Sequence, residues 1–379
     1  MCNGEPSAGQ LQPHDPGHPH DHPTGIDRRS FLGFGVVGLG GVLLASCGFI
    51  SESNAPSTSS TVGSTPTEPE STTTSTEQTM ATTSAEKSTS ETSTSPSSSS
   101  STTEPVLDTL PGFEAFAESV DIFADGDFWL VESNGLPTHN MMVGIRSWQQ
   151  QFPVAQPYVG TNAWRIPRNP TRAAVPVSAK TSLYRGAIAI AVNGVPIFNA
   201  LNNRGDDAYI AGELDEWGGH CGRADDYHYH VAPLHLQKGH SGSPIAYALD
   251  GYPIYGSTEP DGSPLRPLDQ WNGHDDSTGG YHYHGTGSYP YINGGLVGEV
   301  RVVGDQIDPQ PVTRPFRPPG EPLRGAVISK FESFSVNRHA LEYTLNGSVV
   351  RVEYEVSGST VTFTFIDSSG GTRQERYSR

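Results

Sequence analysis

The chain has 379 residues and carries 41 Asp and Glu against 23 Lys and Arg, which gives a formal net charge of -18 at pH 7. So acidic a balance argues against nucleic acid and against charge-driven adhesion to anionic lipid, and it makes cations the more natural partners.

The first predicted element is an export signal. Arg28 and Arg29 precede Ser-Phe-Leu and a Gly-rich apolar run that ends in Leu-Ala-Ser-Cys47. A charged region, an apolar region and a small-residue cleavage site follow in the order of a secretory signal. The arginine pair resembles a twin-arginine signal, and the last four residues resemble a lipobox, whose Cys is acylated. We therefore predict that residues 1–47 are a signal cleaved before Cys47, and that a lipid on Cys47 holds the protein at the extracytoplasmic face of a bacterial membrane.

The alternative for this segment is an uncleaved membrane anchor, because residues 31–50 are about long enough to span a bilayer. Either interpretation leaves the rest of the chain outside. The remaining cysteine of the exported part is then Cys221, because Cys2 belongs to the signal, so that part has no intrachain disulfide.

The second predicted element is a spacer. Residues 48–105 are mostly Ser and Thr with scattered Glu and Pro. Such a segment buries too little apolar surface to offset the entropy of ordering, so we expect it to be disordered. A main domain over 106–310, a Pro-rich linker over 311–322 and a small C-terminal unit over 323–379 complete the predicted organisation.

The folded part carries β signals rather than helical periodicity. An apolar run over 187–192 meets Asn193-Gly194, a turn dipeptide. Residues 341–345, 349–356 and 360–366 alternate apolar and polar side chains and are separated by short turns. We predict a mainly β fold, with a sandwich-like or irregular β domain followed by a C-terminal β-meander of at least three strands.

The most informative feature is an internal duplication. The pattern L-D-x-W-x-G-H-x6-Y-H-Y-H occurs over residues 214–230 and again over 268–284. Alternate side chains of a strand share one face, so the two His of each Y-H-Y-H project together and the two Tyr project oppositely. Two such imidazoles can converge on one ion with bonds of about 2.0–2.1 Å. The upstream His of each copy is the third candidate, so the predicted metal ligands are His220, His228, His230, His274, His282 and His284.

Three imidazoles with an open position suit a catalytic zinc, copper or iron centre. Nearby carboxylates are candidates to accept hydrogen bonds from the imidazole N–H groups, namely Asp225, Asp226, Asp275 and Asp276. Two arrangements stay open at this point. The copies form two separate sites, or the two H-x-H strands lie side by side and share one ion.

These motifs resemble the YHYH family, a group of unknown function that is named for the tetrapeptide. The resemblance covers residues 133–303, including Asn-Gly-Leu-Pro-Thr-His at 134–139, Asp-Gly-Tyr-Pro-Ile-Tyr-Gly at 250–256 and both Y-H-Y-H segments. It implies no established reaction.

Three functions are compatible with the sequence. The first is a transition-metal-binding domain, with zinc, iron or manganese favoured over copper because a twin-arginine substrate folds and is loaded in the cytosol. The second is a metal-dependent hydrolase or oxidoreductase. The third is a surface module that binds cell-wall material or glycan, in which the His and Tyr side chains are structural. Whether the protein is an enzyme stays open.

Overall fold

The computed structural model describes residues 110–240, 242–278 and 280–379. The predicted signal residues Arg28, Arg29 and Cys47, and the predicted spacer over 48–105, lie outside these ranges. The helical segments within them are 3-10 turns of three or four residues, at Phe113–Phe116, Gly160–Asn162 and Leu234–Gln237. No helix in these ranges has the length and apolar character needed to cross a membrane. The remaining regular structure is β, which confirms the predicted fold class.

A three-stranded antiparallel sheet opens the described chain. Its strands are β1 (Val120–Asp125), β2 (Phe128–Ser133) and β3 (Trp164–Pro167). The central strand β2 places Trp129, Leu130 and Val131 in the core. A separate two-stranded pair joins β4 (Arg172–Ser178) to β13 (Gly295–Gly298), and a short hairpin joins β14 (Val302–Val303) to β15 (Gln306–Ile307).

The centre of the fold is an eight-stranded sheet that contains both histidine segments. Its strands are β5 (Ala187–Ala191), β6 (Pro196–Phe198), β7 (Gly219–Cys221), β8 (Tyr227–Tyr229), β9 (Ala246–Ala248), β10 (Pro253–Tyr255), β11 (Gly273–Asp275) and β12 (Tyr281–His284). Their spatial order is β11-β12-β10-β9-β5-β6-β8-β7. The two Y-H-Y-H strands, β8 and β12, are therefore separated by four other strands. The side-by-side arrangement is wrong, and the copies form two separate clusters.

The two halves of this sheet repeat one topology. In the first half, β5–β6 and β7–β8 are antiparallel pairs, and β8 lies parallel to β6. In the second half, β9–β10 and β11–β12 are antiparallel pairs, and β12 lies parallel to β10. The registers also match, since His220 pairs with His228 and His274 pairs with His282. Isolated bridges after the first hairpins repeat as well, at Leu201–Asp207 and Thr258–Pro264. The duplication therefore begins at β5 and β9 and is longer than the histidine segments that reveal it.

The C-terminal part is a five-stranded antiparallel meander, which agrees with the predicted meander of at least three strands. It consists of β16 (Val327–Ser335), β17 (Arg338–Leu345), β18 (Ser348–Ser357), β19 (Thr360–Ile366) and β20 (Thr372–Ser378). Its inner face packs on the main domain, because the ring of Phe152 lies 5.5 Å from that of Tyr354 and 5.0 Å from that of Phe363. The Tyr354 hydroxyl also donates a hydrogen bond to the Pro153 carbonyl.

The Pro-rich segment before the meander lies against the main domain. Arg317 forms a buried, two-contact ion pair with Asp225, at 2.8 and 2.9 Å, and its guanidinium stacks over Phe152 and Phe363. The segment thus joins the first half of the sheet to the meander through one side chain.

Candidate metal centres

The first histidine cluster is built by the β7–β8 hairpin. His220 lies directly across from His228, and His230 follows two residues later on the same face, as strand alternation requires. The three rings are mutually close, with centroid distances of 4.8 to 5.0 Å. Tyr227 and Tyr229 point to the opposite face and are buried. The hairpin therefore brings together all three ligands predicted for this copy.

The second histidine cluster repeats this geometry on β11 and β12. Its rings, those of His274, His282 and His284, lie 4.7 to 5.0 Å apart. A carboxylate that the sequence did not reveal joins them: Glu259 Oε2 lies 3.3 Å from His274 Nε2, 3.6 Å from His282 Nε2 and 3.9 Å from His284 Nε2. Within each cluster, one ligand atom per residue lies within 4.8 Å of all the others.

Backbone carbonyls fix the protonation of most rings in the first cluster. His228 Nδ1 donates to the Asp226 carbonyl at 3.0 Å, and His230 Nδ1 donates to the Asn199 carbonyl at 2.5 Å. A carbonyl oxygen only accepts, so each of these Nδ1 atoms carries a proton, and the neutral form of such a ring has its lone pair on Nε2. His230 Nε2 lies 3.0 Å from His220 Nε2. The Nε2 lone pair of neutral His230 consequently faces His220.

The second cluster is arranged in the same way. His284 Nδ1 donates to the Gly256 carbonyl at 2.9 Å, and His274 Nδ1 donates to the Pro267 carbonyl at 3.3 Å. His282 Nε2 lies 3.0 Å from His274 Nε2. His284 is fully buried, and its Nε2 has no hydrogen-bond partner among the described residues. A buried polar atom without a partner costs about 1–3 kcal/mol, so this nitrogen requires an explanation.

Burial keeps several of these imidazoles neutral. It lowers the pKa of His230 to about 3 and that of His220 well below its usual range, and the neighbouring rings act in the same direction. Burial likewise lowers the pKa of His284 to about 4 and that of His282 below its usual value. Neutral imidazole is the form that ligates metals.

Glu259 is held as a carboxylate by Arg266. Burial alone raises the pKa of Glu259, but hydrogen bonds from the side chain and backbone of Arg266 lower it to about 2. The two contacts measure 3.1 and 2.8 Å. Arg266 Nη2 also lies 3.3 Å from His274 Nε2, which fits a lone pair on that nitrogen. The second cluster therefore combines three nitrogen donors with one charged oxygen donor.

The matching position in the first cluster is occupied by an amide. The bridges at Leu201 and Thr258 correspond, so the next residues, Asn202 and Glu259, occupy equivalent positions. The following turns agree, because Gly205 N bonds to the Asn202 carbonyl and Gly262 N bonds to the Glu259 carbonyl. Aligning Asn-Gly-Val-Pro-Ile-Phe at 193–198 with Asp-Gly-Tyr-Pro-Ile-Tyr at 250–255 is the sequence signal that finds this pair.

The four predicted aspartates have different positions. The Asp226 carboxylate lies 3.6 Å from His228 Nδ1, whereas Asp225 is paired with Arg317. Asp275 is paired with Arg172 on the surface, and Asp276 accepts hydrogen bonds from Thr278 and Gly280 of its own turn. Backbone carbonyls, at 2.5 to 3.3 Å, rather than these carboxylates hold the Nδ1 atoms of His228, His230, His274 and His284.

Comparison with known proteins identifies the region but no activity. Residues 163–264 match the family model described as YHYH protein, which confirms the resemblance over this part of the predicted span of 133–303. The matched span contains the first histidine cluster, the intervening hairpin and Glu259, and it ends before His274. No curated protein and no solved structure matches the chain at a significant level.

Proposed function

We propose that this YHYH-domain protein binds transition-metal ions at its two histidine clusters, with the tighter site at Glu259, His274, His282 and His284. The observation that carries the proposal is the convergence of three imidazoles in each cluster, joined in the second by a carboxylate. His284 Nε2 is the clearest case, since its ring is fully buried, its Nδ1 is held by the Gly256 carbonyl, and its Nε2 has no other partner among the described residues. A cation satisfies all of these lone pairs together.

The donor spacing supports an ion of ordinary size. Tetrahedral bonds of about 2.0–2.1 Å place neighbouring ligand atoms about 3.3 Å apart. In the second cluster the Nε2 atoms of His274 and His282 lie 3.0 Å apart, Glu259 Oε2 lies 3.3 to 3.9 Å from the three Nε2 atoms, and all four ligand atoms lie within 4.8 Å of one another. Three imidazoles and a carboxylate, without thiolate, favour zinc, iron or manganese over copper(I).

The structural alternative, a glycan-binding module, treats the histidines as packing groups. It predicts that each buried imidazole nitrogen has a protein partner. His284 Nε2 departs from this, as do His235 Nε2 and His339 Nδ1 outside the clusters, but only His284 belongs to a group of three imidazoles and a carboxylate. The enzymatic alternative requires an open coordination position, and the first cluster, with three nitrogen donors and no carboxylate in its ligand set, suits it better.

The test is metal content, measured by elemental mass spectrometry on the purified full-length chain. The N-terminal segment contains His14, His18, His20 and His22. Because these histidines could bind metal themselves, all proteins in the comparison have them replaced by Gln. We expect about two equivalents of metal, falling to one in His282→Ala/His284→Ala and to one in His228→Ala/His230→Ala. His240→Ala, an exposed histidine outside both clusters, is the matched control. Equal metal content in all four proteins contradicts the proposal.

The protein works on the outer side of a membrane in this proposal. Support comes from the arginine pair at 28–29 and from Leu-Ala-Ser-Cys47. A Cys47→Ser variant is expected to lose lipid labelling and leave the membrane fraction, and Arg28→Lys/Arg29→Lys is expected to stay in the cytosol. An unlabelled wild-type chain in the soluble fraction contradicts this location.

A further inference from the structure

A cavity of about 520 Å³ opens onto the first cluster. All three of its histidines line the cavity, together with residues from four other parts of the chain: the loop before β3, the segment before β5, the turn after β6, and the chain from β15 onward. The residues of the second cluster do not line it. A volume of this size is that of a small-molecule site, for which about 300–1,000 Å³ is usual.

The charge of the cavity is opposite to that of the chain. Arg185, Arg204 and Arg223 line it, against the acidic residues Glu213 and Asp226. Arg204 is already paired with Glu213 and Asp206. Arg185 and Arg223 form no ion pair with the described residues. In a protein with a net charge of -18, two uncommitted guanidinium groups beside a cation site select an anion.

Neutral polar groups of the same cavity are also uncommitted. The side-chain amides of Gln149, Asn203 and Gln306 line it and make no hydrogen bond within the described part of the chain. The Trp164 ring is 3% exposed, and its Nε1–H has no acceptor among the described residues. Amides both donate and accept, which suits hydroxyl groups, and an indole N–H only donates.

We infer that the first cluster is a binding site for a small hydroxylated organic anion of the sugar-acid class, an inference that rests on the metal site proposed above. Arg185 and Arg223 bind its carboxylate, and Gln149, Asn203 and Gln306 bind its hydroxyl groups. An oxygen of the same molecule completes the coordination of the ion held by His220, His228 and His230. The second cluster has a protein carboxylate, Glu259, in the corresponding position and needs no such ligand.

The test uses the full-length chain with His14, His18, His20 and His22 replaced by Gln. The protein is loaded with Co²⁺ and titrated in a calorimeter with D-glucuronate, D-gluconate and D-glycerate. Matched probes are D-glucose, which lacks the carboxylate, and acetate, which lacks the hydroxyl groups. The cobalt absorption spectrum is recorded during each titration. We expect at least one sugar or hydroxy acid to bind at least 10-fold more tightly than both matched probes and to shift the spectrum.

Two variants assign the binding to the cavity. Arg185→Gln/Arg223→Gln is expected to keep two equivalents of cobalt and to weaken sugar-acid binding at least 10-fold. Arg376→Gln, at an exposed arginine of the meander outside both clusters and outside the cavity, is the control and is expected to bind the sugar acid as the wild type does.

The outcomes separate this inference from the proposal beneath it. Two equivalents of cobalt with no acid bound more tightly than glucose or acetate overturns the sugar-acid site and leaves metal binding intact. Sugar-acid binding that is unchanged in Arg185→Gln/Arg223→Gln also overturns it. Absence of cobalt from the wild type overturns the metal proposal itself.

Discussion

The two halves of the central sheet have one backbone plan and two different sets of candidate ligands. Each half places three imidazoles on one face of a hairpin, in the same register and at nearly the same ring distances. At the neighbouring position one half has Asn202 and the other Glu259. The hairpin frame is therefore the part that the two halves share, and the fourth side chain is the part in which they differ.

The frame is constrained by a carboxylate behind each hairpin. Asp215 accepts hydrogen bonds from Trp217 N, Gly219 N and the Tyr227 hydroxyl. Asp269 makes the equivalent three bonds in the second half. A Cβ at Gly219 lies 2.5 Å from that hydroxyl, so only glycine fits there. The shared Asp and Gly of the repeated pattern therefore serve the turn and the tyrosine rather than a metal.

The largest expected difference between the halves is in the free energy of unfolding that an ion pair to a loop aspartate contributes. Asp225 is buried and bound to Arg317, whereas Asp275 and Arg172 form an exposed pair. Arg317→Met leaves a buried carboxylate unpaired and is expected to lower the free energy of unfolding by about 3–5 kcal/mol. Arg172→Met, the matched control, is expected to change it by about 0–1 kcal/mol. Urea denaturation of the chelator-treated proteins measures both, and similar losses contradict the difference.

Metal binding is expected to stabilise the fold through both clusters. An ion at 100 times its dissociation constant adds about 2.7 kcal/mol per site to the free energy of unfolding. We expect thermal unfolding to shift upward with added Zn²⁺ in the wild type, by less in either double-alanine variant and by nothing measurable in the variant that combines them. A full shift in the combined variant places the stabilising ion elsewhere.

Exchanging the fourth side chain tests whether it sets the affinity. Glu259→Gln keeps the shape of the side chain and removes the charged donor. We expect metal at the second cluster to bind at least about 10–100-fold more weakly, because losing even a group that only hydrogen-bonds to a metal ligand has an effect of that size. Asn202→Glu is expected to strengthen the first cluster. The metal affinity of each cluster is measured by competition with a chromophoric chelator, in protein whose other cluster has been removed by its double-alanine change. No response at either position shows that the fourth side chain is not a ligand.

The smallest expected effect is a pH dependence of the free energy of unfolding that arises from Asp215. Burial raises the pKa of Asp215 to about 6, although four hydrogen bonds oppose this. Between pH 4 and 6 the folded state therefore holds a proton that the unfolded state has released, and stability falls as the pH rises. Relative to Asp215→Asn, the wild type is expected to lose on the order of 1 kcal/mol across this range. Asp269→Asn, at an exposed carboxylate, is the matched control. A constant difference between wild type and Asp215→Asn contradicts this pH effect.

The sequence by itself determined which side chains share a face. Strand alternation placed His228 with His230 and His282 with His284, and the repeated upstream His added the third ring of each cluster, because these relations depend on local backbone geometry. The alternating runs after residue 340 likewise predicted the meander, although not its two outer strands.

Only the tertiary structure decided how many sites there are and what completes them. Strand order separates β8 from β12, so no ion is shared. Glu259 reaches its cluster from a loop 15 residues before His274, and Arg185 and Gln306 meet at one cavity from different strand ends. Such contacts depend on long-range packing, which a periodic pattern along the chain does not encode. The chemistry of the three-histidine face was therefore predictable, and the difference between its two copies was not.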